Sequence, residues 1–178
     1  MAPSERTTAF AGVLANISPE QLSAPTPCSQ WTVADLIEHV VGGNERVGQW
    51  GGRYEQPPPR PDSLVEAHRA AASAAQQAFA RPDAMVAVFQ LPIGPVPGSV
   101  FIGMRTTDLL THAWDLAAAT GQSTDLDPEL AIYLLSLTHE RVGPDFRGPG
   151  KFFGAERDCP ADRPPADKLA AFLGRTVT

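Results

Sequence analysis

The chain has 178 residues and a formal net charge of -6, with 20 acidic against 14 basic side chains. That length fits one domain, residues 1–178, able to bury its own core, and the acidic balance argues against nucleic acid as a partner. Cys28 and Cys159 form no Cys-x-x-Cys pair, which excludes a disulfide framework and a zinc-finger spacing. The opening residues, Met1 to Phe10, are polar and mixed, and no apolar run approaches the roughly 20 residues of a membrane span. The expected setting is the cytoplasm, with no membrane partner.

Phe10, Leu14 and Ile17 share a face with Val13 beside them, which predicts a first helix over Arg6 to Ile17. Ser23 to Gln30 reads as a loop. Thr32 is an N-cap with Asp35 at the third helical position, and Val33, Leu36, Ile37, Val40 and Val41 form the stripe of a helix that Gly51-Gly52 ends. Gln56 to Pro61 is a stiff, proline-rich connection. Ser63 and Glu66 form the cleaner capping box, opening an Ala-rich helix to Ala80. Met85 to Phe101 is apolar, β-branched and broken by prolines, and reads as an extended arm or short ribbon. The arm has two readings: a homodimer contact, or a cover for the protein's own core. A long helix runs from near Ser99 to Gly121, and Asp127-Pro128 opens another that reaches about Arg141. Gly143 to Pro165 wraps the surface, and Lys168 to Leu173 is a short closing helix. Four substantial helices with small additions predict an all-α helical bundle.

The chemistry concentrates in one echo. Asp35-Leu36-Ile37-Glu38-His39 and Asp108-Leu109-Leu110-Thr111-His112 both read Asp-Leu-aliphatic-x-His. Residues four apart share a helix face, so Asp108 and His112 can offer a carboxylate and an imidazole to one point. His39 comes from another helix and can supply a third ligand. Two histidines and one carboxylate leave positions open, as in catalytic metal sites. Plain readings remain beside this one. Asp35 suits a helix cap and Glu38 a surface acid. Asp115 is either a partner orienting His112 or a solvated acid. His68, among charged neighbours, is expected to be exposed. His139 sits near a helix end, where the dipole favours it. Trp31, Trp50 and Trp114 are core or edge aromatics, with Trp114 also able to flank a pocket. Gly42 and Gly43, inside a helix, point to close packing, a ligand near the backbone, or a helix stop.

The run Thr26-Pro27-Cys28-Ser29-Gln30-Trp31-Thr32-Val33-Ala34-Asp35-Leu36, with His39 and Gly42-Gly43-Asn44 after it, resembles the opening motif of the mycothiol-dependent maleylpyruvate isomerase metal-binding domain. That domain belongs to the wider DinB-like superfamily. Asp108 to Leu116, then Ala119-Thr120-Gly121, is similar to its second motif, and Asp167 to Arg175 resembles a frequent terminus of small actinobacterial members. The resemblance implies a DinB-like four-helix bundle with one divalent metal ion held by His39, Asp108 and His112. Zinc is the default ion for these ligands; nickel, manganese and iron also suit them. The isomerase carries a glutamate where this chain has the shorter Asp108. It also has a separate C-terminal domain that helps bind mycothiol, for which this chain has no room. The leading functional reading is a transferase or isomerase-like enzyme. It would join a low-molecular-weight thiol, such as mycothiol, to a small electrophilic substrate by way of a metal-bound thiolate. The alternatives are a metal-dependent hydrolase with Asp115 as base, a non-catalytic metal- or ligand-binding module, and, remotely, ferrous oxygenase chemistry.

Overall fold

The computed structural model describes residues 8–177. Its helices are α1 (Thr8–Leu14), α2 (Val33–Trp50), α3 (Leu64–Phe79), α4 (Gly98–Thr120), α5 (Pro128–Arg141) and α6 (Pro165–Phe172), with a hairpin of β1 (Val88–Leu91) and β2 (Gly94–Pro97) between α3 and α4. Helix α1 packs on α4 and α3, and α2 packs on α3 and α4, which closes a four-helix ring; α5 and α6 add a layer outside α4. The fold is an all-α, DinB-like bundle with a short β arm. The predicted start of the first helix at Arg6 lies outside the described residues.

Local chemistry sets the ends of these helices. The Thr32 side chain accepts from the Asp35 amide while the Asp35 carboxylate accepts from the Thr32 amide at 2.9 Å, a complete capping box. Ser63 caps α3 through the Glu66 amide alone, so the better box belongs to α2 rather than α3. Asp127 caps α5 ahead of Pro128, and Gly121 ends α4 in a left-handed conformation at φ 69°.

The core has three parts. Phe10, Leu36, Ile37, Val40 and Leu116 fill the ring's interior. Leu110, Trp114, Leu134 and Leu169 fill the seam between α4 and the outer layer. Phe89 of the hairpin meets Val47, Ala75 and Phe101, so the arm covers one end of the bundle. Val88, next to Phe89 in β1, points the other way into solvent, as the two-residue period of a strand requires, and Val86 before the strand and Ile93 in the turn are exposed as well.

His68 is the main departure from expectation: it is 1% exposed, not solvated. Helix α3 meets its neighbours through Ala67, Ala71, Ala72, Ala75 and Ala78, residues small enough to bring the helix close. His68 lies on that stripe and is drawn in against Phe10, with ring centres 4.8 Å apart. Among the described residues neither ring nitrogen has a hydrogen-bond partner, and burial pushes the pKa down to about 4.

Because the folded pKa lies below that of the unfolded chain, His68 must lose its proton to fold. Its contribution is fully present above about pH 6.5 and falls away toward pH 4, by about 3 kcal/mol. Urea denaturation of the protein and of His68→Leu across this range should show their stability difference changing by about that amount. A difference independent of pH would show that the ring is not held neutral.

Candidate functional site

Helices α2 and α4 bring His39, Asp108 and His112 together. The Asp108 Oδ1 lies 3.4 Å from His39 Nε2 and 3.4 Å from His112 Nε2. All three donor atoms lie within 4.8 Å of one another. The other Asp108 oxygen accepts from Arg105 at 2.9 Å, and the second Arg105 nitrogen donates to Asn44 Oδ1 at 3.1 Å. Gly43 makes this possible: a Cβ there would stand 2.7 Å from the Arg105 guanidinium nitrogens. Gly43 therefore answers to close packing of an arginine against α2, and neither it nor Gly42 stops the helix.

A second group lies on the other side of His112. The fully buried Asp115 places Oδ2 3.0 Å from His112 Nδ1. Arg175 grips both oxygens of Asp115, Nε to Oδ1 at 3.1 Å and a terminal nitrogen to Oδ2 at 2.9 Å. The Cys28 thiol donates to Asp115 Oδ2 at 3.3 Å and lies 3.4 Å from Arg175. Cys28 reaches this point because its loop folds back: Trp31 N donates to Cys28 O at 2.8 Å and Thr26 Oγ1 to Trp31 O at 2.9 Å. The same turn sets the Trp31 ring 4.6 Å from His39 and 5.8 Å from His112.

Charge is balanced within the cluster. Burial pushes Asp108 up, but the His112 and Arg105 charges hold it well below the ordinary carboxylate range. Burial likewise opposes ionisation of Asp115, which its bond to His112 and the Arg175 charge hold low. For His112, burial favours the neutral ring, yet the Asp108 charge and the contacts with Asp108 and Asp115 raise its pKa well above the usual value. The His39 and Asp108 side chains are 30% and 28% exposed and that of His112 is 9%, so the triad opens to solvent on the His39 side.

The donors can accommodate a metal. A tetrahedral ion with ligands at about 2.0–2.1 Å separates them by about 3.3 Å, close to the two 3.4 Å distances here. A charge-assisted hydrogen bond is shorter, about 2.7–2.9 Å.

The remaining singled-out residues fall elsewhere. Asp35 is an exposed cap. Glu38 pairs with Arg60 on the surface. His139 is exposed and stacks on Phe172 at 4.0 Å. Trp50 packs on Phe101. Trp114 is buried and donates to Asp167 Oδ1 at 2.7 Å, tying α6 to α4. Sequence reasoning missed Cys28, Arg105 and Arg175 as site residues, and it took Trp31 for a packing aromatic. Arg105 had a readable signal, an i,i+3 pairing with Asp108; Arg175 had none.

With this geometry established, the model for the mycothiol maleylpyruvate isomerase N-terminal domain matches residues 4–50 and 51–117. The chain belongs to that family. Its matched region holds His39, Asp108, His112 and Asp115, whereas Arg175 lies beyond it. Two uncharacterized proteins of Mycobacterium tuberculosis, from strains H37Rv and CDC 1551 / Oshkosh, are each 64% identical over 177 residues, covering 99% of this chain and 97% of the relative. No solved structure matches.

The raised pKa of His112 contributes stability that is present below about pH 6.5 and lost as pH rises through the folded value. Asp108→Asn should lower the His112 titration midpoint in metal-free protein, followed by NMR of the ring carbon protons, and flatten this alkaline loss. An unchanged midpoint would show that the Asp108 charge does not hold the proton.

Proposed function

We propose that His39, Asp108 and His112 hold one divalent metal ion, zinc by default, in a thiol-dependent enzyme of the transferase or isomerase-like kind. The observation that carries this reading is the spacing of the donors. One carboxylate oxygen stands 3.4 Å from each of two imidazole nitrogens, farther than a hydrogen bond between charged groups wants and close to the spacing around an ion.

When bound, the ion supplies a Lewis-acid centre that lowers the pKa of a thiol brought to it. The chain's own residues do the rest. Arg105 holds Asp108 by one oxygen and leaves the other facing the two imidazoles. Asp115 occupies His112 Nδ1, so Nε2 remains the available nitrogen. Trp31 packs against the His39 ring beside the open side of the triad. Two arginines balance two aspartates, so the charge of an added ion is left to attract an anionic ligand, which suits a thiolate. The family name supports mycothiol as the thiol, with a small electrophile as its co-substrate.

Hydrolysis is the weaker reading because its candidate base, Asp115, is buried and both its oxygens are engaged. A non-catalytic module would be better served by four protein ligands than by three and an open side. We further read residues 1–178 as one domain. No described helix is long and apolar enough to cross a membrane, and the free thiols Cys28 and Cys159 support a cytoplasmic setting. A homodimer contact would fall on the exposed apolar residues of the arm, Val86, Val88 and Ile93.

Elemental analysis of tag-free protein should find about one equivalent of a transition metal, absent from an Asp108→Ala, His112→Ala variant. Metal at a hundredfold excess over Kd should stabilise the fold by about 2.7 kcal/mol, read as a rise in Tm that a chelator reverses. If the native protein neither carries metal nor takes up zinc, nickel, manganese or ferrous iron, the reading fails.

A further inference from the structure

Among the described residues His112 belongs to two groups of three donors: His39, Asp108 and His112 on one side, and Cys28, His112 and Asp115 on the other. Donor chemistry alone does not choose between them, since a cysteine thiolate is at least as good a zinc ligand as a carboxylate. The difference lies in how each group is already filled.

In the first group, Arg105 touches Asp108 through one oxygen and leaves Oδ1 facing both imidazoles. In the second, Arg175 engages both Asp115 oxygens and also meets Cys28 Sγ at 3.4 Å. A guanidinium fork on a carboxylate fixes its plane as well as its position. The plane held here sets Oδ2 3.0 Å from His112 Nδ1.

The backbone makes that grip firm. Arg175 N donates to Ala170 O at 3.0 Å and a side-chain nitrogen donates to Leu173 O at 3.1 Å. The preceding Gly174 takes φ 96°, and a Cβ there would stand 2.6 Å from Gly154 Cα. The Trp114–Asp167 bond holds α6 on α4, and with it the turn that bears Arg175.

We infer that Arg175 is a positioning residue whose guanidinium serves as the resident cation of the Cys28, His112 and Asp115 group, so that His112 offers only Nε2 to a metal and Cys28 stays outside the ligand set. The inference rests on the metal reading above and names a residue outside the matched family region. Its consequence is a site that selects one of two overlapping donor sets by filling the other with a side chain.

Cobalt(II) titration of the full chain tests this in the wild type, Cys28→Ser, Arg175→Ala, Arg175→Lys and Arg175→Ala with Cys28→Ser. The wild type should bind one equivalent with ligand-field bands and no sulfur-to-cobalt charge-transfer band, and Cys28→Ser should match it. Arg175→Ala should bind about 10–100-fold more weakly and gain a charge-transfer band that the added Cys28→Ser abolishes. Arg175→Lys keeps the charge without the fork and should recover only part of the affinity. If Arg175→Ala does not fold, a natively folded Arg175→Lys decides the matter by its affinity. A charge-transfer band in the wild type that Cys28→Ser removes, or wild-type affinity and spectrum in both Arg175 variants, would overturn the inference. If the wild type binds no cobalt, the metal reading fails, and metal-free NMR then decides the role of Arg175. A slowly exchanging His112 Nδ1 proton in the wild type that is lost in Arg175→Ala supports positioning; equal exchange in both overturns it.

Discussion

Both ring nitrogens of His112 face a carboxylate, Asp108 on one side and Asp115 on the other, and an arginine stands behind each carboxylate. This line of alternating charge lies beside the apolar core of the bundle. Burying ions is a poor route to stability, because desolvation consumes most of the attraction gained. What the line provides is direction. One imidazole is fixed between two anions, and each anion is turned to a set angle by its cation. The surrounding structure can be understood by how it supplies these partners.

Helix α4 is the spine of that supply. One of its faces packs into the four-helix ring through Leu109, Ala113 and Leu116, and another meets α5 and α6 through Leu110 and Trp114. Thr111, His112 and Asp115 are buried on the same helix. A helix buried on several sides has little freedom to rotate, so Asp108, His112 and Asp115 keep their relative directions. Helix α2 brings His39 from one flank, and the turn after α6 brings Arg175 from another. Trp31 and Cys28 arrive on the loop before α2, whose own cap fixes where that loop must end.

Features written in local chemistry were legible from the residues alone. Thr32 with Asp35, Asp127 with Pro128, and Gly121 marked helix ends to within a residue or two, because a cap is made by neighbours in sequence. The prolines of the arm announced an extended segment for the same reason. Asp108 and His112 were readable as a pair from the four-residue helical period. What resisted reading depends on partners far along the chain. His68 has polar neighbours in sequence, and only the approach of α3 through its alanines buries it. Arg175 looks like any cation near the end of a short helix until the fold sets Asp115 beneath it. Cys28 seemed unremarkable because its companions lie on α4 and beyond α6.

The distance along the chain between these companions has a consequence for biosynthesis. Arg175 lies 147 positions after Cys28 and 60 after Asp115. A ribosome therefore delivers His112 with both of its carboxylates, and the thiol, well before it delivers the guanidinium. Until that residue emerges, the Cys28, His112 and Asp115 group lacks the guanidinium that fills it in the folded chain. The order in which the chain is made thus sets the two aspartate–arginine pairs apart: Arg105 is made just before its partner Asp108, whereas Asp115 receives Arg175 only when α6 and the turn after it settle against α4.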